Sequence, residues 1–210
     1  MQTQRIRVKF CGITREEDAL TAVALGADAI GMVFYAGSPR AVGVGTAREI
    51  VHRLPPFIST VALFVNPLAG EVQTVLEAVR PGLLQFHGDE TAADCERYGM
   101  PYIKAIRMRP DVDIHEQAGR FSSAAALLLD SFHEGNYGGT GQVFDWSRVP
   151  ADLQRPFILA GGLTPDNVAA AIAATRPYAV DVSGGVEATK GIKDPAKMQA
   201  FLREVHRGCH

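Results

Sequence analysis

The chain has 210 residues, with 21 Lys and Arg against 23 Asp and Glu, a formal net charge of −2 and a pI near 6.3. Area scaling at 22.6 kDa gives roughly 9,500 Å² folded against roughly 33,000 Å² unfolded, enough burial for a core without staples. The near-neutral charge balance excludes nucleic acid or an anionic membrane as the main partner, because either calls for a basic face.

Hydrophobic residues make up 47% of the chain, which excludes disorder, and no apolar run reaches the ~20 residues of a membrane helix. Residues 1–9 carry Arg5, Arg7 and Lys9 with no apolar segment behind them, so a signal peptide is not expected. Cys11, Cys95 and Cys209 form no CxxC pair and are odd in number. A reduced, cytoplasmic compartment is the expectation.

In chain order, short apolar runs predict strands over residues 7–11, 29–34, 58–65, 83–87, 102–106, 125–130, 157–160 and 179–182. Longer amphipathic stretches predict helices over 16–25, 46–54, 70–79, 91–98, 113–120, 165–174 and 195–205, with a short turn over 145–149. Boundary chemistry accompanies several of them. Thr14 with Glu17 reads as a capping box, Thr164-Pro165 and Asp194-Pro195 as N-caps with proline at the first helical position, and Gly26 as a helix stop.

Strand and helix alternate about eight times with no linker or low-complexity break, which predicts one α/β domain over 1–210 with a parallel sheet. A doubly wound nucleotide fold would place a glycine-rich turn after the first strand, but Cys11-Gly12-Ile13-Thr14 stands there, and no GxGxxG or GxxxxGK[ST] occurs. The prediction is a closed (β/α)8 TIM barrel of minimal size.

Barrel enzymes build their sites at the carboxyl ends of the strands. Gly161-Gly162 and Ser183-Gly184-Gly185 follow the last two predicted strands, where backbone N–H groups can approach a phosphate. Either pair alone reads equally as an ordinary turn; together they favour a phosphate site. Cys11 ends the first strand with Lys9 on the same face, a cation expected to lower the thiol toward a useful base; a buried, inert cysteine is the competing reading. Asp130 closes the apolar run 124–129, where removal from water favours the protonated acid that a general acid requires; a capping or salt-bridged aspartate is the competing reading.

Arg40, after the second strand, is either a solvated loop arginine or the group for a substrate carboxylate, which its planar fork takes bidentately. Asp181 either orients substrate hydroxyl or amine groups or caps a loop. His87 either lines the pocket or bonds a loop, and no other histidine falls at a strand end, so a catalytic metal is not expected. No cofactor is called for.

Val8-Lys9-Phe10-Cys11-Gly12-Ile13-Thr14, Ser38-Pro39-Arg40, Leu84-Gln85-Phe86-His87-Gly88, Leu129-Asp130, Gly138-Gly139-Thr140-Gly141 and the stretches 159–167 and 180–191 resemble the phosphoribosylanthranilate isomerase family over essentially the whole chain. The resemblance implies an Amadori rearrangement in tryptophan biosynthesis, from N-(5-phosphoribosyl)anthranilate to 1-(2-carboxyphenylamino)-1-deoxyribulose 5-phosphate. It assigns Asp130 to protonation of the furanose ring oxygen and Cys11 to removal of the C2′ proton. Arg40 would hold the anthranilate carboxylate and the glycine loops the phosphate, with Lys9, His87, Gly141 and Asp181 as further substrate-binding positions. Phe10 and Phe86 stand where the family often has Ile or Leu, a change of packing volume only.

The partner implied is a small phosphorylated substrate, and a homo-oligomer is not excluded. Gly density over 135–141 suggests a lid. The competing functions are the histidine-pathway sugar-phosphate isomerase, whose general base is an aspartate where Cys11 stands, and a non-catalytic phosphate-binding barrel.

Overall fold

The computed structural model describes residues 5–131 and 143–208. Eight parallel strands, β1 Arg7–Cys11, β2 Ala29–Val33, β3 Ser59–Phe64, β4 Leu83–Phe86, β5 Tyr102–Arg107, β6 Ala126–Asp130, β7 Phe157–Leu159 and β8 Ala179–Val182, pair in sequence order, and β8 closes back on β1. The helices are α1 Glu16–Ala24, α2 Val44–Arg53, α3 Ala69–Val79, α4 Ala92–Glu96, α5 Ile114–Arg120, α6 Val168–Thr175 and α7 Pro195–Gly208. Between β6 and β7 the described residues hold a 3-10 turn, Trp146–Arg148, capped by Asp145 through Ser147 N–H. All eight predicted strands are present, and the predicted short turn stands where it was expected.

The period of two within each strand sorts the core into two layers. Val8, Phe10, Ile30, Met32, Phe64, Phe86, Leu127 and Leu129 face the helices, while Ile103, Ala105, Ala126, Leu128, Ile158 and Ala179 fill the barrel interior. Phe10 packs on Phe201, and Phe86 on Phe64, Tyr98 and Tyr102, with ring centroids 6.0–6.2 Å apart. The two residues that depart from the family pattern thus face outward. They leave the inward polar positions of their own strands, Lys9, Cys11 and Gln85, undisturbed.

Two helix starts are built differently from the predicted local pattern. Arg15, not Thr14, takes the N-cap position of α1, with no side-chain cap. The Thr14 hydroxyl instead donates to Gly191 O at 2.5 Å, so a long-range bond displaces the local capping box. Thr164 does cap the turn leading into α6, its hydroxyl accepting from Asp166 N–H at 3.3 Å, but α6 itself starts only after Asn167, whose side chain accepts from Thr164 N–H and donates to Gly162 O. That delays α6 by one turn and fixes the loop after β7. Asp194 does cap α7, accepting from the N–H groups of Ala196 and Lys197, and Gly26 ends α1 at φ +94°.

The segment after β8 holds an element that the sequence reading lacks. A 3-10 turn, Gly184–Val186, leads into a hairpin of β9 Glu187–Thr189 and β10 Ile192–Lys193. No helix among the described residues is long and apolar enough to cross a membrane.

Candidate active site

One cleft at the carboxyl ends of the strands is lined by Cys11, Arg40, His87, Asp130, Asp181, Gly161, Gly162, Ser183, Gly184 and Gly185. Barrel closure therefore brings together every candidate side chain except Lys9, which lies just beneath, and Gly141. Gly141 and the proposed lid over 135–141 lie outside the described residues, as does Cys209.

Lys9 is buried, and its Nζ donates to Asp181 Oδ1 at 2.9 Å. Asp181 thus holds a cation and caps no loop. Burial alone would lower the Lys9 ammonium, but Asp181 and the neighbouring Cys11 hold it above its ordinary value. The sequence reading expected Lys9 to bring the thiol down; the direction is the reverse. Burial pushes the Cys11 thiol up and outweighs the pull of Lys9, which is shared with the Asp181 carboxylate. Gly31 on β2 makes the Lys9–Cys11 contact possible: a Cβ there would stand 2.9 Å from Cys11 Sγ and 3.0 Å from Lys9 Nζ, so the two side chains occupy the space a larger residue would fill.

Across the cleft, Asp130 is buried, with Oδ2 2.9 Å from His87 Nε2 and Oδ1 accepting from Ser131 N–H at 2.9 Å. His87 therefore both lines the cleft and orients the carboxyl. The loop after β7 comes close behind: Gly161, at φ +78°, leaves no room for a Cβ against Ser131 N–H and Asp130.

Arg40 does not present its whole fork to the cleft. Nε and Nη2 bond Glu187 Oε1 and Oε2 at 2.7 and 2.8 Å, and Glu187 holds the guanidinium above its ordinary value. A guanidinium has a second bidentate edge, Nη1 with the other Nη2 hydrogen, and Glu187 does not engage that edge. Glu187 also accepts from Lys193 Nζ at 3.0 Å, and Lys193, lowered by burial, donates further to Ser183 O.

Residues 8–204 match the family model of "N-(5'phosphoribosyl)anthranilate (PRA) isomerase". The chain belongs to the phosphoribosylanthranilate isomerase family. An N-(5'-phosphoribosyl)anthranilate isomerase of Pseudomonas fluorescens is 63% identical over 202 residues, 96% of each chain. The phosphoribosyl anthranilate isomerase of Thermotoga maritima superposes with a TM-score of 0.88 at 38% identity, over 96% of this chain and 99% of that one. Another, solved with reduced 1-(o-carboxyphenylamino)-1-deoxyribulose 5-phosphate, gives 0.85 at 37% identity over the same shares.

Sequence reasoning missed Gly31, Gln85, Glu187 and Lys193 in this phosphoribosylanthranilate isomerase barrel. Gln85 was findable, as a polar residue on the inward face of an apolar strand, two residues before His87. Glu187 and Lys193 reach the site only through the β9–β10 hairpin. Glu187→Gln should lower stability by roughly 3 kcal/mol, since it strands the buried Lys193 cation and releases Arg40. Urea unfolding checks this, and a parent-like midpoint with an unchanged slope would contradict it. Burial alone would raise the Glu187 carboxylate, but Arg40 and Lys193 hold it below its ordinary value. Its contribution is therefore present above the unfolded-state pKa and lost as pH falls through the folded one.

Proposed function

We propose that the cleft carries out the Amadori rearrangement of N-(5'-phosphoribosyl)anthranilate to 1-(2-carboxyphenylamino)-1-deoxyribulose 5-phosphate, the isomerase step of tryptophan biosynthesis, with Asp130 as general acid and Cys11 as general base. The observation that carries the assignment is that Asp130, positioned by His87, and Cys11, positioned over Lys9, line one cleft whose edge is formed by the glycine loops after β7 and β8.

Asp130 gives its proton to the furanose ring oxygen as the anthranilate nitrogen pushes its lone pair toward C1′, and the C1′–oxygen bond opens to the protonated Schiff base. The Cys11 thiolate then removes the C2′ proton. The electrons of that C–H bond neutralise the iminium, giving an enolamine that becomes the ketone when C1′ takes up a proton and the C2′ hydroxyl gives one up. All atoms of the substrate are retained, so no external oxidant or reductant enters.

The free edge of Arg40 would hold the anthranilate carboxylate, with Gly161, Gly162, Ser183, Gly184 and Gly185 around the phosphate and Asp181 near the sugar hydroxyls. A single domain in a reducing, cytoplasmic setting accords with this chemistry, since Cys11 must stay a free thiol.

Incubation with freshly prepared phosphoribosylanthranilate should yield the ribulose phosphate product, while the histidine-pathway isomerase substrate should not turn over. Binding of either compound with no product formed would instead point to the non-catalytic barrel.

A further inference from the structure

Gln85 is wholly buried on the inward face of β4. Its Nε2 lies 3.1 Å from His87 Nδ1, and His87 Nε2 lies 2.9 Å from Asp130 Oδ2. Its Oε1, also buried, has no hydrogen-bond partner. Buried polar side-chain atoms are paired in the large majority of cases, so an orphaned acceptor next to a titratable ring marks an arrangement in which it is used. The two ends of a primary amide exchange places by a half-turn about Cγ–Cδ, at almost no change in shape.

The geometry points to Gln85 as a positioning residue for the acid step, one that selects by the orientation of its amide whether the His87–Asp130 pair holds one proton or two. The inference rests on Asp130 being the general acid.

With Nε2 of Gln85 donating to Nδ1, the neutral imidazole carries its proton on Nε2 and donates it to the Asp130 carboxylate, so the pair holds one proton. With the amide turned, Oε1 accepts from Nδ1–H. Nε2 then either accepts from a protonated Asp130 or, in the ion-pair form, donates to its carboxylate, and the pair holds two protons. Only this second arrangement can protonate the sugar ring oxygen. Once that proton has gone, the Nε2 lone pair faces a carboxylate, which return of the amide and of the ring proton to Nε2 relieves.

An apolar residue at position 85 would satisfy neither arrangement, and a carboxylate would accept only, favouring the second. The other charged or titratable groups around the pair are placed as follows. Cys11, Tyr35, Arg40 and Asp181 line the same cleft, with Lys9 held by Asp181. Arg107, in register with Asp130 on β5, bonds Asp89. On the outer side of the β4–β5 pair, Lys104 and Glu90 bond each other.

The test uses Gln85→Met and Gln85→Glu, checked for folding by thermal unfolding, with kcat and KM followed across pH and the ring nitrogens of His87 read by NMR. In the parent enzyme, the free form should show the Nε2–H tautomer. Gln85→Met should lower kcat by roughly tenfold while KM stays within about threefold, with the tautomer no longer fixed. In Gln85→Glu the ratio of variant to parent kcat should climb by roughly tenfold from acid to alkaline pH, because the second proton is kept longer.

A folded Gln85→Met with parental kcat and parental His87 nitrogens would overturn the inference. So would a fall in kcat with the tautomer and the pH dependence unmoved, since that is what loosened packing alone would do. Should Gln85→Glu not fold, Gln85→Met decides. Turnover surviving in Asp130→Asn would remove the acid assignment itself, whereas an inactive Asp130→Asn beside an unaffected Gln85→Met would remove only the role given to Gln85.

Discussion

Asp130→Asn is expected to lower kcat by on the order of 10²-fold or more with little change in KM, the usual scale for loss of one positioned acid. The amide matches the carboxyl in size; its oxygen can still accept from Ser131 N–H while its nitrogen donates to a His87 Nε2 lone pair, at the 2.9 Å contacts, and it leaves the Gly161 backbone its close approach. What it lacks is a proton to give at neutral pH. A fall in kcat and kcat/KM together identifies an interaction made in the transition state and not on binding. Steady-state kinetics with fresh substrate measure it, alongside circular dichroism to show that the fold is kept. Turnover within a few-fold of the parent would remove Asp130 from the role.

The same residue shows how far the sequence could be read. Asp130 at the end of an apolar run, Cys11 at the end of β1 and glycine pairs after β7 and β8 were visible because a barrel converts a one-dimensional rule, the last residue of each strand, into a three-dimensional cluster. The strands themselves were legible because each is bounded by turn chemistry and buried on both faces.

The failures share a cause. The Thr14–Glu17 capping box is a local pattern, and it was overridden by a partner 177 residues away, Gly191 O. Arg40 was read as a free fork because Glu187 is 147 residues away in sequence. The Cys11 thiol was expected to fall because Lys9 is two residues away, but the spacing carries no information about burial or about Asp181, which shares that cation from the neighbouring strand. Long-range polar pairing, not secondary structure, is what the pattern of residues leaves unspecified.

That correction sharpens the prediction for Cys11. Cys11→Ala should reduce kcat by on the order of 10²-fold or more, since the C2′ proton then has no acceptor at the right place. The pH dependence carries a sign as well. Burial disfavours the thiolate more than Lys9 favours it, so the resting group is the protonated thiol, and activity that needs the thiolate should climb with pH on the acid side of the profile. Direct titration is possible because burial pushes the other described thiol, Cys95, up to about 12. In a Cys209→Ser background the thiolate absorbance at lower pH then reports Cys11 alone, and its midpoint should lie above that of an ordinary cysteine. A midpoint below it would mean that Lys9 wins over burial and that the base is ready-made in the free enzyme. A midpoint above it means that the thiolate must form once substrate is bound, with the positive charge on the Schiff base nitrogen adding to Lys9 at the moment the C2′ proton leaves. Near-parental turnover in Cys11→Ala would show that some other group takes that proton, and the meeting of Lys9 and Cys11 over Gly31 would then be packing alone.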